Sequence, residues 1–287
     1  GQHWSLYRRT LAKLSGATEK DNSQFTQELQ LSTQAQLQGK LPQDEVDAHF
    51  SLMPRGYFSH ASAEDIAYHL TLIHQLISTV SIEDGESSLK PIVDWHDDLG
   101  SAQSLVTVVT WDRAGLFSRM AGAFAVAGIN ILSCRAFSRD DDVAIDFFKV
   151  ALPLGKEKSS KEKFTASLAK SLLDGSDLSE EISLEEQRDL QTRPRRRAYV
   201  PLAARVEVYH EPDLHCSVVE LQCNDRLGLL FHIGRIIRTA GYTITFANIA
   251  TEQGFAIDTF YLEPERGLST SPWALERLAE SLNQIVS

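Results

Sequence analysis

This sequence has no CxxC pair of cysteines, no long apolar run and no visible signal peptide. Its cysteines, Cys134, Cys216 and Cys223, form no CxxC pair and each falls in a strand-like stretch, so we expect buried, reduced thiols rather than disulfides or metal ligands. No apolar run approaches the roughly 20 residues that a membrane span needs, and no signal peptide is visible. We therefore expect a cytoplasmic protein without a membrane partner. Because the chain begins with Gly1 rather than methionine, we expect it to be a piece of a longer protein.

A basic excess and catalytic fingerprints are missing as well. The chain carries 28 Lys and Arg against 39 Asp and Glu, a formal charge of −11, which argues against nucleic-acid binding. We find no phosphate loop, no dinucleotide fingerprint and no Ser-His-Asp arrangement. His210 and His215 flank an acidic turn but lack further ligands at zinc spacing. We therefore predict no catalytic residue, no metal site and no cofactor in this chain.

What is present is the composition of a globular protein, with 43% hydrophobic and 23% charged residues in 287, enough for two or three domains with apolar cores. Residues 1–88 have helical periodicity, including a stripe formed by Ile66, Leu70 and Ile73, and we expect an all-helical segment. The polar run 83–89 is the clearest linker.

Helix starts are marked at two places within this segment. Asp21 and Asn22 are candidate caps of one helix. Ser62, with Asp65 at its third position, matches a variant of the capping box before another. An earlier amphipathic stretch at 2–16 predicts a further helix.

Downstream of the linker, short strand-like runs alternate with helices, and this part contains an internal duplication. Residues 92–138 overlay residues 205–251 without a gap, at the offset that carries Asp112 onto Asp225. The string WDRAGLF falls on NDRLGLL, and AGINI falls on AGYTI. After a shift of one residue, AIDFF falls on AIDTF. The matches cluster at turn residues and on the buried face of a helix, so we place two modules at 89–200 and at 201–287. The first module ends in a polar stretch, 175–197, which we expect to be a linker with a fragment of helix around residues 179–190.

Each module has the pattern β-α-β-β-α, which is typical of the ferredoxin-like plan, an α+β fold with helices on one face of an antiparallel sheet. That plan ends with a fourth strand beside the first, and the second module has no residues left for it before Ser287. The duplication, however, extends upstream, because VDWH at 93–96 overlays VEVY at 206–209. We therefore predict a permuted ββαββα order, in which residues 206–209 pair with the first core strand of their own module.

The motif Asp-Arg-x-Gly-Leu at 112–116 and 225–229 resembles the ACT domain, an amino-acid-sensing module. Two tandem copies, with Asp146 and Asp258 in their third strands, are similar to the C-terminal end of the bacterial bifunctional PII uridylyltransferase/uridylyl-removing enzymes. The string MPRGYF at 53–58 resembles the helical stretch that precedes the ACT pair in that family.

This resemblance implies a regulatory segment of a uridylyltransferase, a nucleotidyltransferase of nitrogen metabolism. It implies glutamine as the favoured ligand, catalytic domains upstream in the parent chain, and the PII protein as partner of the parent enzyme. A homodimer is compatible with it. The nucleotidyltransferase and HD phosphohydrolase domains of the family have no counterpart in this sequence.

The two modules differ at one hairpin. The second module keeps Gly254 there, whereas the first has RDDD at 139–142. Aspartate adopts the left-handed conformation at modest cost, but an acidic tip would repel an anion. We therefore expect the first site to differ from the second.

The duplicated turn predicts a ligand site in each module. The first N–H groups of a helix, from Gly115 or Gly228 onward, carry partial positive charge and suit a carboxylate. An aspartate would accept from an α-ammonium group, and a polar residue at the start of the neighbouring strand would complete the set. The predicted ligand-binding residues are Asp112, Gly115, Leu116, Asn130 and Ile131 in the first module, and Asp225, Gly228, Leu229, Thr243 and Ile244 in the second.

Other roles for these residues stay open. An aspartate before a helix is often an N-cap, which contributes about 1 kcal/mol, and a glycine also serves a turn without any ligand. We interpret Arg113 and Arg226 as solvated or interface charges. A ligand-free assembly or docking module is the alternative function, and an independent enzyme would need a catalytic set that the sequence does not display.

Overall fold

The computed structural model describes residues 19–79, 89–97, 103–192, 203–212, 216–252, 254–265 and 270–287. By its internal contacts the chain forms two compact units, Gly1–His74 and Gln75–Ser287, and each is described by itself. The helix predicted at 2–16 lies outside the described residues. No described helix has both the length and the apolar character that crossing a membrane requires.

The described part of the N-terminal unit is helical, as predicted. Its helices are α1 (Glu19–Leu37), α2 (Gln43–Leu52), α3 (Arg55–Phe58) and α4 (Ala63–Thr79), the last of which runs on past the unit boundary. The capping box before α4 is confirmed, because Asp65 Oδ2 accepts from the Ser62 backbone N–H at 2.9 Å while Ser62 Oγ accepts from the Asp65 N–H at 3.2 Å. The capping role predicted for Asp21 and Asn22 is wrong, since both lie inside α1.

The C-terminal unit contains one antiparallel sheet. Its strands are β1 (Ile92–Asp97), β2 (Gln103–Trp111), β3 (Asn130–Ser138), β4 (Val143–Ala151), β5 (Arg205–Glu211), β6 (Cys216–Asn224), β7 (Tyr242–Glu252) and β8 (Phe255–Pro264). Its helices are α5 (Leu116–Val126), α6 (Glu157–Leu173), α7 (Ser179–Thr192), α8 (Leu229–Thr239) and α9 (Pro272–Val286). The strand order is β1-β2-β4-β3-β7-β8-β6-β5. The α+β class is confirmed.

The permuted order is confirmed in both modules. Strand β5 pairs antiparallel with β6 of its own module, with Val206 opposite Leu221. Strand β1 pairs with β2 in the same way, with Val93 opposite Val108. Each strand that precedes the core therefore lies beside the first core strand, in the place that the fourth strand of the ferredoxin-like plan usually takes.

The two modules join through their inner strands. Residues 133–135 of β3 lie opposite residues 248–250 of β7 in an antiparallel ladder, which makes the eight strands one continuous sheet. A free strand edge exposes unpaired N–H and C=O groups, and this pairing covers part of the edges of β3 and β7 at the centre of the sheet.

The helices cover one face of this sheet, and alternate strand residues pack against them. Helix α5 of the first module packs against α8 of the second. The fragment of helix predicted around residues 179–190 is confirmed as helix α7, which continues to Thr192. Leu178 and Ile182, spaced one helical turn apart, are 4% and 0% exposed and join the core. The strand residues of this core include Val106, Val108, Phe148, Val219, Leu221, Ile249, Phe260 and Leu262.

The contact between α5 and α8 depends on Gly234. A methyl group on Gly234 would lie 2.9 Å from Ser118 Cβ and 3.2 Å from Ser118 Cα. The second distance involves backbone, which yields only if the helices separate. Gly122 makes a similar approach, with a methyl group there 3.0 Å from Cδ2 of Phe231.

We expect Gly234→Ala to destabilise the C-terminal unit by roughly 1 kcal/mol or more. Alanine favours an isolated helix by about 1 kcal/mol over glycine, but overpacking of a buried contact costs about 1–3 kcal/mol, so the clash outweighs the propensity. The measurement is thermal unfolding followed by tryptophan fluorescence, because three of the four tryptophans, Trp95, Trp111 and Trp273, lie in this unit.

Gly56→Ala is the matched control, because a methyl group there has no neighbour within 4 Å. An unchanged or higher melting temperature for Gly234→Ala would contradict the close packing of α5 on α8.

Candidate ligand sites between the two modules

Each Asp-Arg-x-Gly-Leu turn connects a core strand to the first helix of its module. The residue before the helix is Gly115 (φ 76°) in one module and Gly228 (φ 79°) in the other, and neither helix start has a side-chain cap. Only glycine adopts this left-handed conformation without strain. Asp112 and Asp225 lie three residues earlier, so the alternative of an aspartate N-cap is wrong. The first N–H group of each helix, of Leu116 or Leu229, donates to the carbonyl of the turn arginine, so the partial positive charge available to another acceptor is that of the N–H groups that follow.

The first cleft combines residues of both modules. Asp112, Gly115 and Leu116 line it from the first module, and Thr243 and Ile244 line it from the start of β7 in the second. Its cavity volume is about 20 Å³, room for about one water molecule, so an amino acid would have to widen the cleft on binding.

The second cleft repeats this arrangement with the modules exchanged. Asp225, Gly228 and Leu229 line it from the second module, and Asn130 and Ile131 line it from the start of β3 in the first. Its cavity volume is likewise about 20 Å³. Asn130 Nδ2 donates to Asp225 Oδ2 across the module boundary at 3.0 Å.

The predicted grouping of residues within one module is therefore wrong. Asp112 lies at the first end of β4, where its N–H donates to the Asp142 carbonyl, whereas Asn130 pairs with Ala151 at the far end. A strand of this length spans about 27 Å at roughly 3.4 Å per residue. Helix α5, between β2 and β3, carries the chain back along the sheet, so β3 starts at the end of the strands opposite to the Asp112 turn. Because β7 runs antiparallel to β3, the start of β7, from the other module, lies at the Asp112 turn instead.

The hairpins behind the two turns have the same backbone conformation. Asp142 (φ 63°) takes the place of Gly254 (φ 87°). The Asp112 N–H donates to the Asp142 carbonyl at 2.6 Å, as the Asp225 N–H donates to the Gly254 carbonyl at 2.9 Å. The expectation that aspartate tolerates this conformation is confirmed.

The acidic tip of the first hairpin is partly neutralised. Arg139 binds Asp141 through two hydrogen bonds, Nε to Oδ1 at 2.8 Å and Nη2 to Oδ2 at 2.6 Å. The repulsion that we expected from this tip is therefore weakened by an internal ion pair.

A buried carboxyl group lies close to each turn aspartate, and the sequence analysis did not assign it to the site. Burial raises the pKa of Asp146 well above its ordinary value, and the charge of Asp112 raises this pKa further. Burial likewise raises the pKa of Asp258, with a further contribution from Asp225. The Ala250 N–H donates to Asp258 Oδ1 at 3.3 Å. The sequence signal that could have identified them is an aspartate within an apolar run, repeated in both modules.

The turn arginines are structural. Arg113 Nη1 donates to the Leu172 carbonyl at 2.8 Å, and Arg226 Nη2 donates to the Ile285 carbonyl at 3.2 Å. Both carbonyls lie at the C-terminal end of the second helix of the same module, α6 or α9, where a cation is favoured by the helix dipole. The interpretation as a solvated or interface charge is confirmed for Arg226, whose side chain is 42% exposed and lies 3.6 Å from Glu186 of α7. Arg113 is half-buried.

Different side chains cover the two glycine turns. A methyl group on Gly115 would lie 2.6 Å from Cδ and 2.9 Å from Nη1 of Arg238, which reaches over from α8. A methyl group on Gly228 would overlap the carboxylate of Glu186, which comes from α7. Glu186 Oε1 lies 2.8 Å from Nε2 of His232 and 3.6 Å from Nη1 of Arg226. The first helix N-terminus is therefore covered by a cation, and the second by an anion of the protein itself.

The structure also locates the residues that we weighed as metal ligands. All three cysteines are buried and free, and burial raises the pKa of the Cys134 thiol well above its ordinary value. Within the described ranges, no group of three or more His, Cys, Asp and Glu side chains is placed to hold a metal ion.

Proteins named bifunctional uridylyltransferase/uridylyl-removing enzyme align with this chain. That of Rhodospirillum rubrum is 30% identical over 205 residues, which cover 70% of this chain and 22% of that protein. That of Azospirillum brasilense is 32% identical over 191 residues, or 62% of this chain and 19% of that protein. That of Gluconobacter oxydans is 27% identical over 285 residues, or 96% of this chain and 29% of that protein. No protein-family model matches the chain.

The chain is similar to proteins whose names are those of uridylyltransferases, enzymes of the nucleotidyltransferase type. More narrowly, it is homologous to a segment of the bifunctional uridylyltransferase/uridylyl-removing enzymes, and the resemblance inferred from the sequence is confirmed. The chain spans 19% to 29% of the length of the three relatives described above.

We expect Asp258→Asn to stabilise the protein relative to the unchanged chain as the pH rises. A carboxyl group with a raised folded-state pKa holds its proton in the folded state, so folding becomes less favourable above the ordinary pKa, by at most about 1.4 kcal/mol per pH unit. Asparagine stays neutral and keeps an oxygen for the Ala250 N–H. The difference in melting temperature between variant and unchanged chain should therefore be larger at pH 8 than at pH 5.

Asp140→Asn, at an exposed position of the first hairpin, controls for the loss of a surface charge. A difference in melting temperature that stays constant from pH 5 to pH 8 would show that Asp258 is ionised in the folded protein.

Proposed function

We propose that this chain is the amino-acid-sensing regulatory part of a PII uridylyltransferase/uridylyl-removing enzyme, with glutamine as its ligand. The observation that carries the proposal is the pair of equivalent clefts, each of which combines a glycine turn of one module with a strand start of the other. A molecule bound in such a cleft contacts both modules, so it favours one arrangement of the pair over others.

The architecture supports assignment of the two modules as an ACT pair. Both have the ββαββα order, and both place the Asp-Arg-x-Gly-Leu turn at the start of the first helix. The homology to the uridylyltransferases supports the parent enzyme. In that setting the catalytic domains belong to the same parent chain, the PII protein is the partner of the whole enzyme, and the location is the cytoplasm. A homodimer of the parent is compatible with this proposal.

The first cleft has the charges that a free amino acid requires. The N–H groups at the start of α5 and the guanidinium of Arg238 would bind an α-carboxylate. Asp112 would accept from the α-ammonium group, and Thr243 would offer a hydroxyl to a polar side chain such as that of glutamine. These contacts come from both modules.

The second cleft already contains a carboxylate at the corresponding position. Glu186 covers Gly228 and lies within hydrogen-bond distance of His232. A ligand carboxylate would have to displace it from the start of α8. We therefore propose that the first cleft binds glutamine first and that the second is blocked until Glu186 moves.

The regulatory effect follows from differential binding. A ligand shifts an equilibrium only by the difference in its affinity for the two states. The joined sheet with both clefts formed would bind glutamine, whereas a state with separated modules would lack half of each cleft. The alternative of a ligand-free docking module keeps the support of the protein contacts that Arg113 and Arg226 make, and amino-acid-dependent thermal stabilisation would oppose it.

We expect isothermal titration calorimetry to detect glutamine binding at one site per chain. Asp112→Asn should weaken this binding by about tenfold or more, because loss of a charge-assisted hydrogen bond costs about 1.5–3 kcal/mol. Asp44→Asn, an exposed carboxylate in the N-terminal unit, should leave the affinity unchanged. Absence of heat with any of the twenty amino acids at millimolar concentration would contradict an amino-acid sensor.

We expect Glu186→Ala to raise the number of glutamine molecules bound from one to two, because it frees the N-terminus of α8. Glu180→Ala, an exposed position on the same helix, is the control for a lost acidic charge. An unchanged stoichiometry, with binding at the first cleft intact, would contradict the blocking role of Glu186 and leave the first cleft as the sensor.

A further inference from the structure

A second kind of cavity lies outside the two clefts and is lined by three arginines. Arg119 of α5 and Arg235 and Arg238 of α8 line a cavity of about 360 Å³. Asp177 is the acidic residue among its lining side chains. The lining therefore carries three positive charges against one negative charge, in a chain whose formal charge is −11. Because the chain as a whole has an excess of acidic residues, the net positive charge of this lining is a specific feature of the cavity.

Two of the arginines are held in place by neighbouring groups. Arg119 Nη1 donates to the carbonyl of Ser171 and lies 3.1 Å from its hydroxyl oxygen. Arg235 Nη1 donates to Ser179 Oγ at 2.6 Å, and its guanidinium lies 5.4 Å from the ring centre of Phe231. These partners are neutral, so they fix the positions of the guanidinium groups without compensating their charge.

The cationic charge of the cavity is poorly compensated. In the described part of the chain, no hydrogen bond or ion pair involves the guanidinium of Arg238, and the buried Nε of Arg119 has no hydrogen-bond acceptor. Burial lowers the pKa of Arg119, and the positive charges of Arg238 and Arg113 lower it further. Asp177 accepts from Ser179 Oγ at 2.6 Å. One carboxylate thus faces several guanidinium groups, and a dianion would balance the remainder.

We propose that this cavity binds a phosphate group, either free or carried by a phosphorylated small molecule. Guanidinium groups bind phosphoryl oxygens through paired N–H donors, and a tetrahedral dianion can use more than one such group at once. A planar carboxylate of single charge would engage only one arginine in this way. The hydroxyls of Ser176 and Thr239, which also line the cavity, offer further donors. The volume exceeds that of one phosphate group, so there is room for the rest of a small molecule.

Arg238 connects this cavity to the first cleft. Its side chain lines both, and it lies over Gly115. A phosphate group that holds the Arg238 guanidinium would therefore change its availability for an amino-acid carboxylate. This coupling, unlike the phosphate site itself, rests on the proposed amino-acid function.

The first experiment titrates the chain with inorganic phosphate and with pyrophosphate by calorimetry, at ionic strength held constant with sodium chloride. We expect saturable binding of both, tighter for pyrophosphate, and none for acetate. The double variant Arg235→Gln, Arg238→Gln should weaken pyrophosphate binding by about tenfold or more. Arg205→Gln, which removes the same charge from an exposed position on β5, should not.

Arg238→Lys provides a second variant that keeps the charge and loses the planar fork, and we expect an intermediate affinity. Circular dichroism establishes that each variant is folded. Saturable acetate binding of equal strength, equal weakening by Arg205→Gln, or no pyrophosphate binding at millimolar concentration would each overturn the phosphate site.

The second experiment titrates glutamine with and without saturating pyrophosphate. A changed glutamine affinity supports coupling through Arg238, and an unchanged affinity overturns it. If glutamine does not bind at all, the proposed amino-acid function fails, while the outcome of the phosphate titration stands independently.

Discussion

The pairing of β3 with β7 is the contact on which the rest of the C-terminal unit depends. It joins two modules into one sheet, aligns α5 against α8, and brings the turn of each module to the strand start of the other. Without it, neither cleft has both of its walls. The close approach at Gly234 depends on the same alignment, because the two helices meet only when the strands beneath them are in register.

Much of the fold could be predicted from the sequence because the duplication is a strong constraint. The run VEVY precedes the first core strand of the second module, and by itself it does not indicate a strand. Its match to VDWH, at the same place in the first module, predicted the permuted strand correctly. The helix α7 was predicted only as a fragment because its two core residues, Leu178 and Ile182, lie in an otherwise acidic stretch. Its role depends on contacts with helices of both modules, which local periodicity does not contain.

The candidate site was predicted residue by residue but with the wrong partners. Glycine turns and strand starts have local signatures, so both were found. The assignment of Asn130 to the turn that holds Asp225 depends on which strands pair between modules, and nothing in either module alone encodes that choice. The same limit applies to Glu186 and Arg238, whose positions over the glycines arise from tertiary packing.

The permuted strands have a consequence for how the sheet meets its surroundings. Because β1 and β5 are its outermost strands, the edges of the whole sheet consist of residues such as Asp94 and His96 on one side and Arg205 and Glu207 on the other. Charged edge strands resist the addition of another strand and so protect a sheet from aggregation. The permutation thus places the hydrophobic strands in the interior of the sheet and leaves polar strands at its two edges.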